Sequence, residues 1–129
     1  MPPEDYPVVT PYLYYEDAGA AMDWLVAAFG LSERMRMTDD DGRINHGELE
    51  IGSGIVMLGQ PGPDYKSPKN QGRATAGVHV YVDDVNAHYE RAKAAGAEIT
   101  QEPADQEYGD RRYDAKDPEG HDWFFAQRL

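Results

Sequence analysis

Cysteine is absent from the 129 residues, which removes disulfides, thiolate metal ligands and a cysteine nucleophile from consideration together. Long hydrophobic runs are missing as well. No stretch approaches the ~20 apolar residues of a membrane-spanning helix, and no N-terminal apolar run has the form of a signal peptide, so the expected compartment is the cytoplasm. Positive charge is scarce, with 12 Lys and Arg against 24 Asp and Glu and a formal net charge of −12. Nucleic acid and anionic membrane surfaces both require a positive field, so neither is expected as a partner. The acidity suits a solvated surface and also a field that steers cationic ligands. No close histidine pair of the HxxxH kind is present to mark a metal centre.

What the chain does have is a duplicated pattern. The apolar fraction of 40% supports a globular fold, and the length fits one domain or two small modules sharing a core. The C-terminal stretch Asp117-Pro118-Glu119-Gly120-His121 reads as a tight turn feeding the apolar strand Trp123 to Gln127. A looser version, Glu50-Ile51-Gly52-Ser53-Gly54, precedes Ile55 to Leu58. Between these landmarks the periodicity predicts strands over Val8–Tyr15, Leu31–Met37, Arg43–Ile51 and Ile55–Leu58. It predicts further strands over Gly77–Val82, Ala97–Glu102, Arg111–Lys116 and Trp123–Gln127. Helices are predicted over Ala18–Phe29 behind Asp17, and over Val85–Ala95 behind Asp83 or Asp84, with Gly30 and Gly96 ending them. Pro11 marks the first strand as an edge or bulge. Residues 1–7 read as a loose lead-in.

The order is therefore βαβββ twice. Module 1 spans about residues 8–59, a connection covers about 60–76, and module 2 spans about 77–129. Tyr14-Tyr15-Glu16-Asp17-Ala18 lies over Tyr81-Val82-Asp83-Asp84-Val85, Gly30 over Gly96, and Arg43 over Arg111. The expected fold is α+β: two tandem βαβββ modules forming cupped, mostly antiparallel sheets with helices on the outer face. The connection, rich in Pro, Gly, Lys and Asn, is the least structured part and a candidate flap.

Three stretches carry a family resemblance: Tyr14-Tyr15-Glu16-Asp17 before the first helix, Gly77-Val78-His79-Val80-Tyr81-Val82-Asp83-Asp84-Val85, and Tyr108-Gly109-Asp110-Arg111 followed by Asp117-Pro118-Glu119-Gly120-His121. With these the chain resembles the vicinal oxygen chelate superfamily, the group of glyoxalases, bleomycin resistance proteins and dioxygenases. The resemblance implies paired modules, commonly a homodimer, and in the enzymes a divalent metal held by His or Glu from the first and last strands of each module. Carried over residue by residue, those positions are Thr10, Gly77, Val56 or Met57, and Phe124. None is an ordinary metal ligand, so the expectation is a site without cofactor, in the manner of the bleomycin-resistance branch, which sequesters antibiotics.

Strand parity gives the cleft-facing set Tyr12, Tyr14, His46, Glu48, His79, Tyr81, Arg112, Asp114 and Phe124, with Tyr15 and Trp123 turned to the core. Flat aromatic faces with a few polar handles are the composition of a small-molecule pocket for planar or cationic ligands. Any one of these tyrosines is equally suited to fill a sheet interior or a dimer interface. Two enzymatic alternatives stay open. One is a lyase, isomerase or dioxygenase with a displaced divalent site at His46, Glu48 and His79. The other is metal-free acid–base chemistry with His79 as general base beside Glu48 or Asp114. His88, His46 and His121 are otherwise expected at the surface.

Overall fold

The computed structural model describes residues 2–129. The chain divides between Lys66 and Ser67 into two compact units. In the first, β1 (Tyr12–Tyr14), α1 (Ala18–Phe29), β2 (Ser32–Thr38), β3 (Ile44–Ile51) and β4 (Gly54–Gly59) form a four-stranded sheet in the order β1-β4-β3-β2 with the helix on one face. In the second, a short helix α2 (Pro68–Gln71) precedes β5 (Gly77–Tyr81), α3 (Val85–Ala94), β6 (Glu98–Asp105), β7 (Asp110–Lys116) and β8 (Asp122–Arg128), ordered β5-β8-β7-β6. Each sheet is mixed: its first strand runs parallel to its last, and the other pairs are antiparallel. This is the α+β pair of βαβββ modules, with the helix of each covering one sheet face.

The two helices start in the same way. Asp17 Oδ1 accepts from Ala20 N at 3.1 Å, and Asp84 Oδ1 accepts from Ala87 N at 3.0 Å, so Asp84, not Asp83, is the cap. Each helix has a second cap from its own unit's last strand or just past it. Gln60 Oε1 accepts from Ala18 N and Gln127 Oε1 from Val85 N, at 3.0 and 2.9 Å. These satisfy amides that the helix itself leaves unpaired. Ala18, Ala21, Met22, Leu25, Ala28 and Phe29 form the buried stripe of α1, against Leu49, Val56 and Leu58. Gly47 lets the stripe approach: a β-carbon there would overlap the Met22 sulfur. Beneath α3 lie Tyr113, Trp123 and Phe125, all fully buried and ring-stacked.

Several boundaries differ from the sequence expectation. The first strand is three residues long, not Val8–Tyr15, and Val8 and Val9 are 86% and 82% exposed. Pro7 and Pro11 lack the N–H that a ladder needs, and pairing starts only where the Pro11 carbonyl accepts from Met57 N. The lead-in is tied down: Asp5 pairs with Arg34 at 2.8 Å, and Tyr6 Oη donates to Glu48 at 2.8 Å. Strand β6 runs on through Pro103 to Asp105, an edge position where proline is tolerated, and Asp105 is held by Arg111 at 2.7 Å. His88 is not a free surface residue; its Nδ1 lies 2.5 Å from the Tyr113 hydroxyl and its ring stacks near Phe125. His121 is half-buried.

The stretch 60–76 contains α2, which the composition concealed. The C-terminal turn anchors it: Lys69 N donates to Glu119 O at 2.9 Å. Gly120 sits at φ 89°, and a β-carbon there would come within 2.7 Å of Lys69 N, so only glycine fits both the left-handed backbone and the docked helix.

Candidate functional site

In each unit the sheet face opposite the helix carries the candidate residues, and the ladder places them in rows. In the first unit Tyr12, Met57, Glu48 and Met35 stand side by side across all four strands. Met57, not Val56, therefore has the outward parity, whereas Val56 pairs with Leu49 in the core. Tyr14 and the His46–Met37 pair follow in the next row. A bulge between Met37 and Thr38 breaks the alternation, so Ile44 turns back under α1 while His46 stays outward. Tyr12, Tyr14, Met35 and Met37 are 43%, 52%, 38% and 52% exposed. Such a set of exposed aromatic and thioether side chains on one face is unusual for a surface without a partner or ligand.

A chain of hydrogen bonds crosses this face. Tyr12 Oη lies 3.0 Å from His46 Nδ1, and His46 Nε2 lies 2.8 Å from Glu48 Oε2. Glu48 is only 3% exposed; its other oxygen accepts from Tyr6 Oη at 2.8 Å and from Arg34 Nε at 3.3 Å. Burial pushes the Glu48 carboxyl up, but the bonds from His46, Tyr6 and Arg34 together outweigh it, so it stays ionised more readily than a free carboxyl. An ionised carboxylate only accepts, so His46 Nε2 carries a hydrogen. With the imidazole neutral, Nδ1 accepts and the Tyr12 hydroxyl donates to it. Burial, with Tyr14 and Glu48 beside it, raises the Tyr12 phenol, which holds its proton.

The aromatic part is built by packing. Tyr12 lies over Gly59, where a β-carbon would fall 2.9 Å from its ring. Tyr12 and Tyr14 have ring centres 5.7 Å apart, and Tyr65 meets Tyr14 edge-on at 6.0 Å while donating to the Tyr14 carbonyl. We expect Gly59→Ala to leave unfolding free energy within about 1 kcal/mol of wild type, yet to push Tyr12 off His46. Nitrogen NMR of labelled histidine reads this, and an unchanged His46 Nδ1 resonance would refute it.

In the second unit the corresponding row is His79, Phe124, Asp114 and Gln101, with Tyr81, Ala126 and Arg112 in the next. Arg112 is bidentate to Asp114, at 2.7 and 3.3 Å, and its guanidinium sits 4.3 Å over the Phe124 ring. His79 meets Tyr81 edge-on at 5.0 Å. Tyr81 Oη donates to the buried Asp110 at 2.7 Å, and Arg128 Nε lies 3.1 Å from the other Asp110 oxygen. The bond to Asp110, and then burial, raises the Tyr81 phenol.

The nine candidate residues thus fall into two sets, four on the first sheet and five on the second. His79 does not work with Asp114: Phe124 stands between them in the row, and Asp114 is committed to Arg112. The histidine that pairs with a carboxylate is His46. At the positions carried over from the superfamily's enzymes, Thr10 offers a weak hydroxyl donor and the others offer less. Gly77 is covered by the Phe124 ring, Met57 offers a soft thioether, and Phe124 offers nothing. His46 has both nitrogens engaged, and among the described residues no three His, Asp or Glu side chains gather as a metal-holding group. Tyr6, Arg34 and Tyr65 belong to the first face although parity did not find them. Arg34 is turned inward by the bulge between Glu33 and Met35, and the two tyrosines arrive from loops.

The sequence profile of the Glyoxalase/Bleomycin resistance protein/Dioxygenase superfamily matches residues 7–125. The chain belongs to this superfamily. It is 39% identical to TioX from Micromonospora sp. ML1, whose crystal structure superposes with a TM-score of 0.78 over 94% of this chain and 98% of that one. It is 35% identical over 126 residues to the uncharacterized protein Mb0911c of Mycobacterium bovis, covering 94% of this chain and 83% of that protein. The fold is also that of the fosfomycin resistance protein FosX from Mesorhizobium loti, at 15% identity and a TM-score of 0.68, over 95% of this chain and 92% of that one. No helix among the described residues is long and apolar enough to cross a membrane.

Proposed function

We propose that this superfamily member is a small-molecule binding protein that takes up a planar or cationic compound on its aromatic sheet faces without a metal ion, and so sequesters it, as an antibiotic-resistance protein would. The observation carrying the proposal is the cluster of Tyr12, Tyr14 and Tyr65 on the first sheet, flanked by exposed Met35 and Met37. Electron-rich ring faces attract cations and stack on planar molecules. Thioethers adapt to irregular apolar shapes. The hydroxyl protons of Tyr12 and Tyr81 are directed at His46 and Asp110, so both oxygens present lone pairs outward, which favours ligands with N–H or O–H donors. The net charge of −12 favours approach of a cation. Homodimerisation and a cytoplasmic setting belong to the same proposal, and light scattering of the purified protein tests the former.

A thermal-shift screen of planar cations, run with and without chelator, tests the function. A ligand at one hundred times its Kd stabilises by ~2.7 kcal/mol, which is about 10 °C in Tm for a domain of this size. Chelator is expected to change nothing. Tyr14→Ala, which removes a ring 52% exposed, should leave the unliganded Tm nearly unchanged and weaken binding about tenfold. A chelator-induced fall in Tm, or binding indifferent to Tyr14, would overturn the proposal.

A further inference from the structure

The duplication supplies an internal comparison. In each unit the third strand in the row order carries a cationic or titratable side chain paired with a carboxylate two residues on: His46 with Glu48, and Arg112 with Asp114. Glu48 and Asp114 occupy matching places in their rows, opposite Met57 and Phe124. In the second unit the pair is closed. A guanidinium does not give up its proton, and Arg112 is capped by the Phe124 ring. In the first unit Arg34 reaches Glu48 at 3.3 Å but shares its charge with Asp5 at 2.8 Å and Glu50 at 3.4 Å, so the member of the pair beside Glu48 is a histidine and not a dedicated guanidinium. Unlike Arg112, His46 can take up and release a proton near neutral pH. Its side chain, 25% exposed, joins the buried carboxylate to a phenol that is 43% exposed.

We propose that Tyr12, His46 and Glu48 form a metal-free proton relay that removes a proton from a weakly acidic C–H on a planar molecule bound against Tyr12 and Tyr14. The proton passes to Tyr12 Oη while the phenol proton passes to His46 Nδ1. Tyr12 ends neutral, the imidazole becomes imidazolium facing the Glu48 carboxylate, and the C–H electron pair stays on the ligand, delocalised in its planar system. Returning the proton to another ligand atom isomerises it; expelling a leaving group with those electrons eliminates it. Tyr12 acts as a conduit because its phenol holds its proton in the resting state. Tyr12 and His46 are the catalytic residues, and Glu48 positions His46 by fixing the Nε2–H tautomer. The relay rests on the proposed binding of a planar molecule at Tyr12 and Tyr14, yet binding and proton movement are separately measurable.

Two measurements test it. Nitrogen NMR of histidine-labelled protein reads the tautomer without any ligand. Nε2-protonated, Nδ1-bare His46 is expected, with the Nδ1 resonance moving in Tyr12→Phe and the tautomers mixing in Glu48→Gln. An Nδ1-protonated neutral ring in the wild type would overturn the proposal. The second measurement uses nitrobenzisoxazole, a planar carbon acid. Base removes its ring C–H proton, the C–H electrons form the nitrile, the N–O bond breaks, and a coloured nitrophenolate is released. The wild type should turn it over well above buffer, His46→Gln and Tyr12→Phe should each lose about 10²-fold, and His121→Gln should match wild type. Equal rates for wild type and His46→Gln, or no rate above buffer, would overturn it. Tyr12→Phe deletes only one exposed hydroxyl, so it decides the question even if His46→Gln fails to fold. Planar cations that raise Tm without any elimination would leave the binding proposal standing and remove the relay.

Discussion

Asp117→Ala is expected to lower the unfolding free energy by about 3–4 kcal/mol, a large part of the ~5–15 kcal/mol that holds such a domain together. Asp117 is 4% exposed and organises the turn before β8 with both oxygens. Oδ1 accepts from Glu119 N at 3.1 Å and His121 N at 3.0 Å, and Oδ2 accepts from the indole Nε1 of Trp123 at 3.1 Å. The indole is fully buried, so alanine leaves its N–H without a partner and out of reach of water. The two amides are half-buried and recover part of their loss by hydration. Asn at this position keeps one acceptor but turns an NH2 toward donors, so Asp117→Asn should recover less than half of the deficit. The damage should reach α2, because the turn presents the Glu119 carbonyl to Lys69. Urea unfolding gives the free energy, and hydrogen exchange at Lys69 to Gln71 shows whether α2 loosens with the turn. An alanine variant within 1 kcal/mol of wild type would show that the turn is held by its backbone alone.

That turn was also the most legible part of the sequence, and the reason is physical. Asp117, Pro118 and Gly120 each encode a local backbone preference, and Trp123 to Phe125 encode burial; neither needs a distant partner to be read. The same holds for Asp17 and Asp84 as caps and for Gly30, which adopts φ 76°. Period-two alternation gathers the nine residues into one cleft-facing set; in the structure Tyr12, Tyr14, His46 and Glu48 share one face of the first sheet, and His79, Tyr81, Arg112, Asp114 and Phe124 one of the second. Alternation fails where the ladder is bulged, and Arg34 is the instance: the shift between Glu33 and Met35 turns it toward Glu48. Tyr6 and Tyr65 lie in segments without periodicity, so no pattern could assign them to the site. Gln60 and Gln127 cap helices 42 residues away in sequence, a long-range hydrogen bond that composition does not encode. The duplication does carry a signal for them, since both glutamines fall at the same place in the repeat. The sequence offers His79 as a base beside Glu48 or Asp114, and His46 and Glu48 with His79 as a displaced metal site. The hydrogen-bonded pair in the structure is His46 with Glu48, two apart on one strand, whereas His79 and Asp114 are separated by a whole strand carrying Phe124.

Glu48→Gln should make the second large change, and its pH dependence separates charge from packing. Glu48 receives His46 Nε2, Tyr6 Oη and Arg34 Nε. Glutamine offers one acceptor oxygen and an NH2 that opposes donors, so at neutral pH the variant should be less stable by about 2–3 kcal/mol. The Glu48 carboxyl is held below its ordinary value of 4.5, because the bonds from His46, Tyr6 and Arg34 exceed the upward push of burial. A group whose folded pKa is depressed contributes stability that is complete above the unfolded value and is lost as pH falls through the folded one. The carboxylate's contribution to the difference between wild type and Glu48→Gln should therefore be complete above 4.5 and shrink on acidification below it, because glutamine does not titrate. Urea midpoints measured from neutral pH down to about pH 3 check this. A gap that persists undiminished in acid would mean that Glu48 acts by shape, and its charge would then not be what orients His46. A gap that closes below 4.5 would show that the carboxylate is ionised throughout the physiological range, which keeps a hydrogen on the His46 Nε2 that faces it.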